Sequence, residues 1–335
     1  MSSSKPIGLL PVIAALSGNA FITAMKWAGF ALTASPAMFS EAIHSVADTG
    51  NQALLMVGIK RSQRKANKNY YYGFGQERFF WSLISACGIF FVGAGITIYH
   101  GITALLRPEP ITTNGISYII LIVALVIESI TLALAIKELK EHTAETKVFK
   151  IIRHGDPTTL AVVYEDGVAV LGLLFALAGI ALTALTGSAI WDALSSIIIG
   201  FLLACVAILL IIKNREFLLE KAMPHAMEQE VIELLNAEPA IEKVIDFKSS
   251  VLDINTYRVK CEIEFNGTEL LKEINNFGEL KEEFEKIRED YSLFVRFCTK
   301  MSDRAPRLIG TKINQIEKRI QERVPEVRHI DIELN

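Results

Sequence analysis

No two of the four cysteines, Cys87, Cys205, Cys261 and Cys298, stand in a CxxC spacing. That excludes a zinc knuckle. Two lie in apolar runs and two in a polar half, so they read as buried or free thiols and not as a disulfide frame. Charge is also scarce: 21% of residues are charged against 51% hydrophobic, too apolar for an ordinary soluble protein of 335 residues. Neither sign dominates, and a net charge of −3 leaves no electrostatic footprint for nucleic acid. The sequence lacks HEXXH and GxSxG, so an intramembrane hydrolase has little support and no enzymatic activity is expected. Internal repeats and low-complexity tracts are absent as well.

What is present is divided unevenly. From about residue 8 to 212 the charges cluster in short patches between long apolar runs, and from about 213 onward they are frequent and mixed. A membrane half, 1–215, followed by a soluble half, 216–335, is the expected organisation. Six stretches are long enough to cross roughly 30 Å of hydrocarbon. They run over about 8–33, 37–59, 79–105, 115–136, 158–184 and 189–212. The opening MSSSKPIGLLPVIAALSGNAF imitates a signal peptide, but its apolar run continues to about residue 33, so it reads as an uncleaved first span. A transit segment rich in Arg and Ser is not evident. Pro157 suits the first turn of the fifth span.

The loops predict sidedness. Lys60, Arg61, Arg64, Lys65, Lys68 and Arg78 join spans two and three, and Lys137, Lys140, Lys147, Lys150 and Arg153 join four and five. Lys213, Arg215 and Lys221 follow span six, whereas the remaining loops hold only Arg107. The positive-inside rule then puts both termini in the cytoplasm, and the expected location is a bacterial inner (plasma) membrane. In the soluble half a helix at 226–237 precedes strands at 243–251 and 255–265, a helical stretch at 268–290, a segment near 291–304, a helix at 306–323 and a last strand. That order predicts helices layered on one small α+β sheet.

Ionisable residues inside the apolar runs carry the chemistry, because each costs free energy unless something uses it. His44 and Asp48, in SEAIHSVAD, are four apart and share one face of span two. An imidazole nitrogen with a carboxylate oxygen suits a first-row divalent ion, zinc above all; the competing reading is a hydrogen-bonded packing pair. Span five offers Glu165 and Asp166 in YEDGVAVLG. Neighbours on a helix point about 100° apart, so one ligates while the other faces a water path or a basic partner. Glu128, mid-span in the fourth helix, can be a proton carrier, an outer-shell partner or a structural hydrogen-bonding group. Asp192 opens span six as an N-cap or interfacial group and, with Glu128, is a candidate for proton coupling or for an outer partner of the site. Lys26 and Asn19 are expected to pair or hydrogen-bond within the bundle, and His100 to sit at the membrane edge. GFG in NYYYGFGQERFFW is too short to bind phosphate and reads as a tight turn beside an aromatic anchor.

Taken together, SEAIHSVAD, YGFGQERFFWSLIS, YEDGVAVLG and WDALSSIIIGFLL resemble the cation diffusion facilitator family. GAGITIYHGI and ESITLALAIKEL are similar to its zinc transporter 9-like branch. The resemblance implies six transmembrane helices, a cytoplasmic ferredoxin-like αββαβ dimerisation domain, and His44, Asp48 and Asp166 at metal positions, with Glu165 beside them. It also shows departures. Val162 stands four residues before Asp166, where the family has His or Asp; Gln76 replaces a histidine of a second metal site; Glu333 lies where a metal-binding histidine often falls; and 277–303 looks inserted.

The expected function is a Zn²⁺/H⁺ antiporter exporting metal by alternating access, with Mn²⁺, Fe²⁺ or Co²⁺ as other candidate cargoes. Metal ligands must be deprotonated to bind, and an imidazole titrates near neutrality, so one set of side chains serves metal and protons in turn. No prosthetic group is expected. The expected partners are a second copy of the chain, the lipid bilayer, divalent metal ions and protons. Val162 and Gln76 favour the alternative, a non-transporting scaffold or metal sensor built on a degenerate transporter.

Overall fold

The computed structural model describes residues 9–107, 115–141, 157–274 and 277–335. Residues 1–8 of the signal-like opening, and Lys147, Lys150 and Arg153 of the sidedness argument, lie outside the described residues. The chain divides into two compact units, Met1–Leu218 and Leu219–Asn335.

The first unit is built from α1 (Leu9–Thr33), α2 (Pro36–Ser62), α3 (Glu77–Leu106), α4 (Gly115–Glu141), α5 (Pro157–Thr186) and α6 (Ile190–Leu218). Local chemistry sets the start of α2. Ala34 takes a positive φ of 52°, Ser35 turns extended and accepts from the Met38 N–H at 3.2 Å, and Pro36 occupies the first turn. Midway, α3 widens into a π-helical turn over Ile89–Ala94.

Among the described residues four helices are both long and apolar enough to cross a membrane: Glu77–Leu106, Gly115–Lys137, Val163–Thr186 and Ile190–Leu218. At 25 and 27 residues, α1 and α2 have the length. The apolarity of α2 is diluted by Glu41, His44, Ser45 and Asn51, all of which are buried. The outside of the unit shows the opposite chemistry, with Phe91, Ile119, Val126, Leu134 and Phe201 exposed. Apolar residues outward and polar residues inward is the arrangement a lipid solvent demands.

Close helix approach comes from small residues. A Cβ on Gly101 would lie 2.8 Å from Ile197 Cγ1, and one on Gly200 would lie 2.6 Å from Ile98 Cγ1, so α3 and α6 nearly touch at their backbones. Ile22, Met38, Ile89, Leu121, Leu173 and Ile199 fill the apolar part of the core.

The second unit comprises α7 (His225–Asn236), β1 (Ile241–Asp253), β2 (Thr256–Phe265), α8 (Gly267–Ile274), α9 (Phe277–Ile287), α10 (Tyr291–Arg323) and β3 (Val327–Leu334). The sheet order is β1-β2-β3, antiparallel between the first two and parallel between the last two. Alternate residues Val259, Cys261 and Ile263 of β2 are buried. α7 packs on β1 and α10 on β3, burying Val231, Leu235, Ile316 and Ile320.

Two expectations for this unit need correction. The stretch 268–290 is two helices, and the segment before Pro306 does not stand apart: α10 runs for 33 residues straight through that proline. Pro306 has no N–H for the Ser302 carbonyl, but Ser302 is exposed, where solvent can take the place of the lost bond. Asp290 starts the helix by accepting from the N–H groups of Ser292 (2.8 Å) and Leu293 (3.2 Å).

Candidate cation site

Glu41, His44, Asp48 and Asn51 recur every three or four residues along α2 and so share one face. That face points into the bundle, and neighbouring helices meet it residue by residue. His44 and Asp48 were legible as a pair. Glu41 and Asn51 were missed, although the same periodicity, extended one turn in each direction, contains them.

Lys26 of α1 is wholly buried, and its Nζ donates to Glu41 Oε2 at 3.0 Å. The same ammonium lies 3.7 Å from Glu128 Oε1 of α4. Glu41 Oε1 has no hydrogen-bond partner among the described residues, and it faces Gly172 of α5, where a Cβ would lie 2.7 Å away. The expected pairing of Lys26 within the bundle is therefore an ion cluster spanning three helices. Among the described residues no side-chain hydrogen bond is found for Asn19, whose carbonyl accepts from Thr23 Oγ1 at 2.8 Å.

His44 is 2% exposed, and its Nε2 lies 3.2 Å from Asp48 Oδ2. The contact is close enough for an ion pair but is not aligned as a hydrogen bond, and neither ring nitrogen has a hydrogen-bond partner among the described residues. In a hydrogen bond the N–H points at the carboxylate. In joint ligation both lone pairs point at a third atom instead. A 3.2 Å contact is compatible with either arrangement.

The two acidic residues of α5 diverge. Glu165 accepts from Asn51 Nδ2 at 2.8 Å on both of its oxygens, and Asn51 Oδ1 in turn accepts from Ser85 Oγ of α3 at 2.7 Å. Asp166 faces α4, where the Thr131 hydroxyl is within its hydrogen-bonding reach. The same hydroxyl lies 2.9 Å from the Glu128 carbonyl, and its one proton serves one acceptor at a time. The charge of Asp48 reaches Glu128, Glu165 and Asp166, and Asp166 also feels Glu128. Even so, no three His, Cys, Asp or Glu side chains converge closely enough to form a ready cage among the described residues.

Asp192 stands apart from this cluster. Its Oδ2 accepts from Ser35 Oγ at 2.7 Å and from the Ala37 N–H at 3.5 Å, so a residue of α6 helps cap α2. His100 stacks on Phe39 with ring centroids 4.0 Å apart. In the 69–81 loop Gly73 takes φ 85° and Tyr70 packs on Phe74, as a tight turn requires.

A helical bundle with an apolar exterior and buried ions on three facing helices defines a polytopic membrane protein. The chain belongs to the cation efflux (cation diffusion facilitator) family: residues 12–219 match that family's cation efflux transmembrane domain. Mouse proton-coupled zinc antiporter SLC30A9, mitochondrial, is 36% identical over 329 residues, covering 96% of this chain and 58% of that protein. Its Xenopus laevis counterpart is 37% identical, with 96% and 59% covered. Metal tolerance protein C4 of Arabidopsis thaliana is 35% identical over 332 residues, with 96% and 72% covered. The chain thus spans about 58% of the length of these animal relatives. The resemblance to the zinc transporter 9-like branch agrees with these matches. They overturn the expectation of a bacterial inner membrane, because the animal relatives are named as mitochondrial proteins.

Proposed function

We propose that this chain is a divalent-cation/proton antiporter with Zn²⁺ as its principal cargo, and that it has no enzymatic activity. The proposal includes six membrane-spanning helices over residues 1–215. It also includes a ferredoxin-like unit over 216–335, with an insertion near 277–303, through which two copies dimerise. The names of the relatives and the family resemblance support this reading. The observation that carries it is the buried His44 ring 3.2 Å from Asp48, facing α4 and α5, where Glu128, Glu165 and Asp166 stand.

In this reading His44, Asp48 and Asp166 hold the metal. Glu165 flanks them, tied to Asn51. Binding displaces the protons that the same groups carry when empty, so metal moves one way and protons the other as access alternates. Asp192 serves to fix the entry of α2 and not to bind the ion. The missing cage among the described residues is what a non-transporting scaffold would also show. Flux decides between the two. In proteoliposomes under an imposed pH gradient, the chain is expected to move Zn²⁺, and Asp48→Ala is expected not to. Failure to move any of Zn²⁺, Mn²⁺, Fe²⁺ and Co²⁺ would favour the scaffold.

A further inference from the structure

In the proposed reading the metal has three protein ligands, His44, Asp48 and Asp166; Val162, one turn before Asp166, has no donor atom for a metal, and Glu165 is tied to Asn51. The Lys26 cluster holds an anion in excess. One ammonium faces two carboxylates, and the two contacts are unequal. Glu41 is 0% exposed and hydrogen-bonded at 3.0 Å, which alone neutralises the ammonium. Glu128 is 14% exposed and stands at 3.7 Å, beyond hydrogen-bonding distance. Of the two, Glu128 is the carboxylate whose departure leaves no buried charge unpaired.

The position of Glu128 fits a move toward the metal residues. It lies one helical turn before Thr131 on α4, and Thr131 is the residue within reach of Asp166. Its charge is felt by Asp166, Asp48 and His44 as well as by Lys26. The buried His44 ring has Nε2 in contact with Asp48 at 3.2 Å, and its Nδ1 has no hydrogen-bond partner among the described residues.

We propose that Glu128 completes the metal site in place of Val162, and that Lys26 is its counter-ion when the site is empty. A divalent ion arriving at His44 and Asp48 draws the Glu128 carboxylate from the ammonium to the metal, and Lys26 remains neutralised by Glu41. When the ion leaves, Glu128 returns. Lys26 is thus a positioning residue that competes with the cargo for one ligand and weakens the hold on it. This inference rests on the reading of His44 and Asp48 as ligands.

Isothermal titration of the purified full chain with Zn²⁺ at constant pH tests it. Glu128→Gln is near-isosteric and leaves the Lys26–Glu41 pair intact. It is expected to weaken zinc at least about tenfold, since even outer partners of a metal site are worth that much. The double variant Lys26→Met/Glu41→Gln removes the fixed pair as a unit and frees Glu128. It is expected to bind zinc more tightly than wild type, with the gain erased by adding Glu128→Gln. A structural role for Glu128 would give no such gain. If His44→Ala and Asp48→Ala lose zinc while Glu128→Gln binds as wild type, Glu128 is not a ligand and only this inference falls. An unchanged or weakened affinity in the folded double variant likewise overturns the role of Lys26. If the double variant does not fold, Glu128→Gln alone decides. If wild type binds no zinc, or His44→Ala binds it as wild type does, the site itself is misread and both fall.

Discussion

Asn51 of α2 donates to both carboxylate oxygens of Glu165 on α5, each at 2.8 Å, while its own oxygen accepts from Ser85 of α3. Three helices are thereby tied at one point beside the His44–Asp48 pair. Replacing Asn51 with Leu strands a buried carboxylate. Bonds to charged groups contribute about 1.5–3 kcal/mol, and a loss of that size is expected in thermal unfolding of the purified protein.

The same bonds separate the two acidic residues of α5. Glu165 is already satisfied by Asn51, whereas Asp166 has only the shared hydroxyl of Thr131. Asp166→Asn is therefore expected to abolish zinc flux in proteoliposomes, and Glu165→Gln to retain a substantial part of it. The reverse pattern would exchange their roles, and full activity in both would remove span five from the site.

Asp192 is bonded to the start of α2, and its proposed role is in the fold. Its bonds to Ser35 and the Ala37 N–H hold the first turn of α2. Asp192→Ala is expected to lower stability by about 1–2 kcal/mol, as loss of a cap does. Zinc affinity measured by titration should stay close to that of wild type.

Gly172 leaves room for a carboxylate. A Cβ there would lie 2.7 Å from Glu41 Oε1 and would push Glu41 against the buried Lys26. Gly172→Ala is expected to cost about 1–3 kcal/mol, the usual range for overpacking. The replacement at Gly88, where a Cβ meets nothing within 4 Å, serves as the control.

The soluble unit carries its own titration. Burial, followed by the negative charge of Glu317, pushes the Cys261 thiol from its ordinary 9.0 up to about 11. The folded state therefore holds this proton longer than the unfolded chain does. Its contribution is complete below about pH 9 and is lost as pH rises through about 11. Stability is expected to fall by at most about 3 kcal/mol across that window. The drop should be absent in Cys261→Ala when the two are compared by chemical unfolding. At neutral pH, alkylation should label exposed Cys298 and spare buried Cys261.

Much of the architecture could be read along the chain because hydrophobicity is a local property. The runs that became α3 to α6 were visible as runs, and alternation in TYRVKCEIEF announced β2. Pro306 misled for a physical reason: a proline breaks a helix where its lost bond has no replacement, and exposure to water supplies one. His44 and Asp48 were legible since i,i+4 spacing places two side chains together on any helix. Lys26, Glu41 and Asn51 were not legible as partners, because their neighbours come from α1, α4 and α5, distant in sequence.

What the sequence determined by itself is the solvent and the currency of this protein. Its apolar runs require lipid, and its few intramembrane charges require a use, both from transfer free energies that hold wherever the chain bends. The tertiary structure alone decided how those charges are divided. Lys26 is neutralised by Glu41, Glu165 is held by Asn51, and Asp192 is committed to capping α2. His44 and Asp48 contact each other, Asp166 has the Thr131 hydroxyl and Glu128 stands 3.7 Å from Lys26; these are the groups proposed to meet an ion. That division depends on distances of a few ångströms between helices, which spacing along one helix does not contain.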